Sequence, residues 1–166
     1  AKHAARTLAK LAAAGGTAKG YLKDVYERVV EDARDDDLLD SNLPAALATI
    51  QVVGQEASGL YFEHLRDIES YIVDRLLARP LPKHASRAGS SVSAAAEMQA
   101  RGLKALAKGC CTGAAGNTEA SEYVQRVLDV MGKVLAETDP TRCGVGADRT
   151  HLRVAAAKAT LVVARL

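Results

Sequence analysis

The stretch DRTHLRVAAAKATLVVARL, residues Asp148–Leu166, decides how the rest of the chain is interpreted. Its aliphatic and small residues recur three and four positions apart, the period of an α-helix with one apolar face. The residues of this face are Leu152, Ala155, Ala156, Ala159, Val163 and Leu166. Burying four aliphatic side chains is worth on the order of 6–10 kcal/mol. We therefore expect this helix to need a partner, and we expect the chain to be a fragment of a longer helical stack.

Composition favours helices and argues against several classes of protein. Of the 166 residues, 48% are hydrophobic and only 4% are aromatic, and Ala, the best helix former, is the commonest residue. The sequence predicts a core of Leu, Val, Ile and Ala. A net charge of +2 gives no global signature of nucleic-acid binding. There is no run of ~18 apolar residues that could span a membrane, and no signal peptide is visible.

Amphipathic helical spacing recurs along the whole chain. A first helix ends at Gly15-Gly16, and a second covers about residues 20–34. The third is expected to start at Ser41 or Asn42, with Pro44 in its first turn. A continuous fourth helix is predicted over residues 60–79, because Pro80 and Pro82 would end it. Fifth and sixth helices are predicted over residues 93–111 and from Asn117 or Thr118 to about 137, followed by a loop and a seventh helix capped by Asp148.

The predicted helices form antiparallel hairpins over residues 2–34, 41–79 and 93–137, and residues 148–166 supply the first helix of a further pair. No segment alternates with the period of two that a β-strand requires, so no sheet is predicted. The hairpins start about 40 to 55 residues apart, the length scale of HEAT-type repeats. The predicted fold is an all-α, HEAT-like α-solenoid spanning residues 1–166, in which stacked hairpins cover one another's apolar faces.

Specific positions are assigned to the apolar faces of these helices. The inner positions of the third and fourth helices are Leu47, Ile50, Gly54 and Ala57, then Leu65, Ile68, Ile72 and Leu76. Those of the fifth and sixth are Met98, Leu103, Leu106 and Cys110, then Val124, Val127, Met131, Val134 and Leu135.

Two basic stripes are the candidate partner-binding residues. Lys2, Arg6 and Lys10 lie four residues apart on the first helix, and Arg149, Arg153 and Lys158 lie along the seventh. The first stripe could be a solvated helix face, and the second could be a structural arginine ladder. The functional interpretation of the first stripe is a surface for an acidic peptide or a polyphosphate, because clustered cations match anionic oxygens. That of the second stripe is part of a partner groove on the inner surface of the solenoid.

A basic linker separates the fourth and fifth helices. It contains Lys83, His84 and Arg87. It is interpreted as a loop, or as a contact for DNA or an acidic segment.

No catalytic or metal-binding pattern is found. Asp35, Asp36 and Asp37 lack the Gly and distal Glu of a calcium loop. Cys110 and Cys111 are expected on a helix interior rather than at a helix N-terminus that would activate a thiolate, so a pairing with His151 is not expected to be catalytic. The three cysteines form no secretory disulfide framework, which predicts a reducing intracellular compartment.

Several segments, in order along the chain, resemble the Pds5 family of HEAT-repeat cohesin regulators. They are AKHAARTLAKL (residues 1–11), LLDSNLPAALATIQVVGQEASGLYFEHLRDIESYIVDRLLARPLP (38–82), AEMQARGLKALAKGCCTG (96–113) and the C-terminal stretch. The resemblance implies a nuclear, non-enzymatic scaffold for sister chromatid cohesion that binds the cohesin kleisin subunit and a Wapl-like releasing factor. It also implies that inositol hexakisphosphate could bind, and that chromatin association could be indirect; no other cofactor is implied.

Two alternatives remain open. One is another HEAT-repeat adaptor, such as a transport receptor or a phosphatase scaffold. The other is a direct nucleic-acid-binding protein, which predicts that the basic stripes converge on one face and that affinity falls steeply with salt.

Overall fold

A computed structural model describes residues 17–82, 91–110 and 118–165, together with Thr7. Its helices are α1 (Thr17–Arg34), α2 (Leu43–Glu56), α3 (Ser58–Glu63), α4 (Leu65–Ser70), a π-helix (Tyr71–Leu76), α5 (Ala94–Cys110), α6 (Thr118–Ala136), α7 (Pro140–Cys143) and α8 (Ala147–Val163). No strand occurs within the described residues, and the predicted all-α class is confirmed. The predicted sites Lys2, Arg6 and Lys10 and the basic linker lie outside them.

The helices pack in two layers. Helix α5 lies between α2 and α8 and packs against both, so these three form a first layer. Helices α1, α3, α4, the π-helix and α6 form a second layer, in which α1 packs on α4 and α6 packs on α5 and α8. Each hairpin thereby covers the flank of the next, the arrangement expected of stacked HEAT-like hairpins. The division of the chain into repeat units stays a prediction.

Buried tyrosines hold the layers together, a feature that the expected Leu, Val, Ile and Ala core left out. Tyr26, Tyr61, Tyr71 and Tyr123 are all fully buried. The Tyr123 hydroxyl lies 3.0 Å from the Leu106 carbonyl oxygen and 2.8 Å from the Tyr61 hydroxyl. Because the single Tyr123 proton is donated to Leu106, the Tyr61 hydroxyl donates to Tyr123. This chain of hydrogen bonds joins α3 and α6 to α5.

Glycines allow close approaches between α2 and α5 and between α5 and the Tyr61 ring of α3. A Cβ atom on Gly109 would lie 2.4 Å from the Tyr61 ring, closer than any side chain could tolerate. A Cβ on Gly54 would lie 3.0 Å from the Gly109 nitrogen. The absence of side chains therefore lets α2 and α5 meet and lets the Tyr61 ring lie on the α5 backbone. Gly54 is buried, as predicted for the inner face of α2.

The prediction of a continuous helix over residues 60–79 is wrong. Helix α3 ends at Glu63, His64 leaves helical geometry with φ of −122°, and the chain resumes as α4 and then as a π-helix. All four predicted inner residues of this segment are nevertheless buried: Leu65, Ile68, Ile72 and Leu76. The buried Gln99 amide donates to the Leu76 and Arg79 carbonyl oxygens, at 3.1 and 2.8 Å. It thus satisfies carbonyls that the helix end leaves without intrahelical partners.

Two assignments at the end of α6 also need correction. Leu135 is 37% exposed. It lies four residues after the buried Met131, and since a helix turn has 3.6 residues, its side chain is rotated away from the buried face. Val134 packs against the core instead. The following segment, predicted to be a loop, contains the short helix α7, whose N-cap Asp139 accepts a 2.9 Å hydrogen bond from the Thr141 nitrogen.

The predicted capping role of Asp148 is wrong. Gly146 is the N-cap of α8, and Asp148 lies in its first turn, buried. Its carboxylate instead accepts a 2.7 Å hydrogen bond from the Ser93 nitrogen, just before α5. Ser93 in turn caps α5, since its hydroxyl accepts from the Ala96 nitrogen at 3.2 Å. Asp148 therefore ties the start of α8 to the start of α5.

Candidate partner-binding groove

A groove of about 1170 Å³ runs over the outer surface of the first layer, across α2, α5 and α8. Small side chains make it concave. The small residues that line it, which we call the alanine floor, are Ala45, Ala48, Ala100, Ala107, Ala155 and Ala159. Alanine removes side-chain bulk without weakening a helix, so three neighbouring helices can enclose a depression and remain regular.

Five cations line this groove, and we call the surface they form the basic groove: Arg101, Lys104, Lys108, Lys158 and Arg165. The α5 members are spaced three and four residues apart, which places them on one helix face. Lys158 lies on α8, and Arg165 follows two residues after the end of that helix. The groove is therefore flanked by positive charge contributed from two helices.

Glu97 is the carboxylate among the described residues that line the groove. Its Oε1 lies 2.9 Å from the Arg101 Nε, and its Oε2 lies 3.0 Å from the His151 Nε2. The contact with His151 lacks hydrogen-bond geometry and is an ion pair only when the imidazole is protonated. Lys108, Lys158 and Arg165 form no ion pair with another described residue. The anionic groups present thus offset little of the positive charge.

Polar contacts hold α2 and α5 together beneath these cations. The Gln51 amide, 8% exposed, donates from Nε2 to the Arg101 carbonyl oxygen at 3.3 Å. This bond fixes the separation of the two helices at the groove. The α5 cations are therefore presented from a packed helix pair.

The structure separates the predicted basic residues of α8 from one another. Lys158 lines the basic groove. Arg149 donates to the Thr138 carbonyl oxygen at 3.3 Å, and Arg153 donates to the Glu137 carbonyl oxygen at 3.4 Å. These two arginines hold the segment that follows α6 against α8. Partner binding by Arg149 and Arg153 stays a prediction, as it does for Lys2, Arg6 and Lys10.

Arg101, Lys104 and Lys108 are groove residues that the sequence interpretation missed. Their spacing on a predicted helix could have identified them as a charged face. Their proximity to Lys158 could not have been found in that way, because it depends on the packing of helices about 50 residues apart in the chain.

The described residues offer little that could perform chemistry. No cluster of three metal-ligating side chains occurs among them. Cys110 is buried, and its thiol donates to the Leu106 carbonyl of its own helix. Burial raises the pKa values of Tyr61 and Tyr123, which keeps both phenols neutral. What the groove can do is attract and hold an anionic surface.

The same part of the chain contains no helix that is both long enough and apolar enough to cross a membrane.

Comparison with known proteins then supplies the family. Searches of curated proteins and of solved structures found no match. A family model described as "Sister chromatid cohesion protein PDS5 protein" matches residues 1–166. That match covers the whole chain, and it carries the regulatory and scaffolding character of the family rather than an enzymatic one. The chain therefore belongs to the PDS5 family of sister chromatid cohesion proteins.

Proposed function

We propose that this chain is a non-enzymatic scaffold that regulates the cohesin complex in the nucleus by binding its kleisin subunit and its releasing and protecting factors. The observation that carries the proposal is the excess of cations in the basic groove. Lys108, Lys158 and Arg165 have no acidic partner among the described residues, in contrast to Arg34 and Arg126 of the second layer. Unpaired cations on a concave helical surface suit the capture of an acidic partner segment.

Inositol hexakisphosphate is a further ligand that we propose for the same cations. Its phosphates would make charge-assisted contacts with lysine and arginine side chains. If it binds there, it competes with the protein segment, and the two affinities are linked.

Direct nucleic-acid binding is the rival function, and the contacts of α8 argue against its simplest form. It requires the arginines of the basic stripe to be available for phosphates. Arg149 and Arg153 instead donate to backbone carbonyl oxygens of the neighbouring segment. Adaptors of the transport-receptor or phosphatase type would use a similar protein-binding groove, and the family match favours cohesion over them.

The test is calorimetric titration of the chain with purified recombinant kleisin. The groove variant carries Lys108→Glu and Lys158→Glu. The matched control carries Arg28→Glu and Arg66→Glu, two exposed second-layer residues. Each substitution replaces +1 with −1, so both double variants change the net charge from +2 to −2. We expect the groove variant to weaken binding by about tenfold or more and the control to change it by less than about threefold. If both double variants lost the same kleisin affinity, the effect would come from net charge and not from the groove. If the unmodified chain did not bind kleisin, the proposal would be overturned.

A further inference from the structure

The basic groove is apolar as well as cationic. The residues of α8 that line it include the aliphatic side chains Val154 and Leu161 as well as the cation Lys158. Leu161 is 57% exposed and Val154 is 45% exposed, both high values for aliphatic side chains. The alanine floor lies beside them. A ligand that satisfied the cations alone would leave this aliphatic surface in water.

This combination disfavours a nucleic acid as the occupant. Single-stranded nucleic acids are held by stacking on aromatic rings as well as by cations. The described residues that line the groove include no Phe, Tyr or Trp. A duplex backbone presents phosphates but no aliphatic surface that could cover Leu161 and Val154. A protein segment with one acidic and one aliphatic face matches both features.

The dimensions suit a short helix. Arg101 and Lys108 lie seven residues apart on α5, roughly 10 Å along its axis, and Lys158 and Arg165 lie on α8 and just beyond its end. A ten-residue helix is about 15 Å long and 10 Å wide, with a volume of roughly 1200 Å³. The groove volume of about 1170 Å³ is of the same size. Such a helix would face the cations over two of its turns.

We infer that the basic groove binds one acidic amphipathic helix of a partner protein. Its aliphatic stripe packs on Val154, Leu161 and the alanine floor, and its Asp and Glu residues, spaced three and four apart, face the cations of α5 and α8. This inference rests on the proposed scaffold function and specifies the kind of segment that the scaffold recognises. It uses the helix-in-groove mode of recognition, in which apolar anchors set the affinity and flanking charges set the orientation.

The test uses a designed peptide, so it does not depend on knowing the natural partner. The probe is a fluorescent peptide of about 15 residues, with leucines spaced three and four apart and glutamates on both sides of that stripe. The control peptide has the same composition in shuffled order, which keeps the charge and removes the amphipathic face. A DNA duplex of similar length is the third ligand. Fluorescence anisotropy gives the affinity, and circular dichroism gives the helicity gained on binding.

We expect the amphipathic peptide to bind at least about tenfold more tightly than the shuffled peptide and to gain helicity. Leu161→Ser should weaken its binding by about fivefold, since a solvent-exposed apolar contact is lost. Leu39→Ser, at an aliphatic residue that is 66% exposed and does not line the groove, is the matched control and should leave the affinity unchanged. Because both leucines are exposed in the free chain, neither substitution should prevent folding.

Three results would overturn the inference. They are equal binding of the two peptides, tighter binding of the DNA duplex than of the amphipathic peptide, and an affinity that Leu161→Ser does not change.

Kleisin titrations separate this failure from failure of the proposed function. If kleisin binds and the amphipathic peptide does not compete with it, the scaffold function stands and the helix site fails. If the peptide binds as expected and kleisin does not bind at all, the helix site stands and the cohesin assignment fails.

Discussion

Two arginines of the second layer and the unpaired cations of the basic groove in the first layer have opposite surroundings. In the second layer, Arg34 lies 2.8 Å from Asp67, and Arg126 makes two hydrogen bonds to Glu69, at 2.8 and 3.0 Å. The first pair links α1 to α4, and the second links α4 to α6. In the first layer, cations from α5 and α8 converge on a groove in which Glu97 is the lining carboxylate. Arg34 and Arg126 thus hold neighbouring helices together, whereas the cations of the basic groove that are unpaired among the described residues are available to a partner.

Tyr123 strengthens this contrast on the second-layer side. The Arg126 guanidinium lies 5.9 Å from the centre of the Tyr123 ring, within the range of a cation–π contact. Arg126 is thus held by Glu69 and by a buried aromatic residue. A guanidinium held in this way is poorly placed to recruit a partner, whereas Lys158 keeps its charge toward the groove.

The largest expected effect comes from the close contact between Gly109 of α5 and the Tyr61 ring of α3. Gly109→Ala places a methyl group against the Tyr61 ring, which is buried and cannot move aside. We expect it to lower the free energy of unfolding by about 3 kcal/mol. Gly132→Ala is the control, because nothing lies within 4 Å of the added carbon in α6. It should stabilise the chain by about 0.5–1 kcal/mol. Urea denaturation measures both, and a neutral Gly109→Ala would contradict the close packing described above.

The next effect concerns the hydrogen-bond chain between the layers. Tyr123→Phe removes the acceptor of the buried Tyr61 hydroxyl and should cost about 2 kcal/mol of unfolding free energy. Tyr61→Phe leaves the bond from Tyr123 to Leu106 intact and should cost about 1 kcal/mol. Denaturation of the two single variants gives the order. The reverse order would mean that Tyr61 supplies the essential bond.

Removing one cation from each layer tests the comparison of their charges directly. Arg126→Met leaves Glu69, whose side chain is 18% exposed, without its partner and should cost about 1 kcal/mol of unfolding free energy. Lys158→Met removes a cation that has no ion pair among the described residues and should leave stability within about 0.5 kcal/mol. If thermal or chemical denaturation showed the same loss of unfolding free energy for both variants, Arg126 and Lys158 would not differ in their structural role.

The smallest expected effect is a dependence on acid. Hydrogen bonding to Arg34 lowers the pKa of Asp67 below its ordinary value. A carboxyl group with a lowered folded-state pKa contributes stability above its unfolded pKa and loses that contribution as the pH falls through the folded value. The stability difference between the unmodified chain and Asp67→Asn should therefore be present at neutral pH and shrink below about pH 4. A difference that does not vary from neutral to strongly acidic pH would rule out this ion pair as its source.

Local features of the fold could be predicted from the sequence, and long-range ones could not. The period of 3.6 residues identified the helices, and Asn42 and Pro44 marked the position where α2 starts, although the Asn42 side chain makes no capping hydrogen bond. Three features depend on segments distant in the chain: the burial of four tyrosines, the hydrogen bond that the Ser93 nitrogen donates to Asp148, and the π-helix over residues 71–76. The basic groove has the same origin. Lys158 was recognised as part of a stripe, but its neighbours Arg101 and Lys108 lie on a different hairpin.

The most direct measurement of which layer recognises a partner is a methyl NMR titration of the isotopically labelled chain with purified kleisin. We expect the methyl signals of Val154 and Leu161, in the groove, to shift or broaden with increasing kleisin. Those of Val25 and Leu135, exposed on α1 and α6 of the second layer, should stay in place. Shifts confined to Val25 and Leu135 would instead place kleisin recognition on the second layer and would overturn the proposed role of the basic groove.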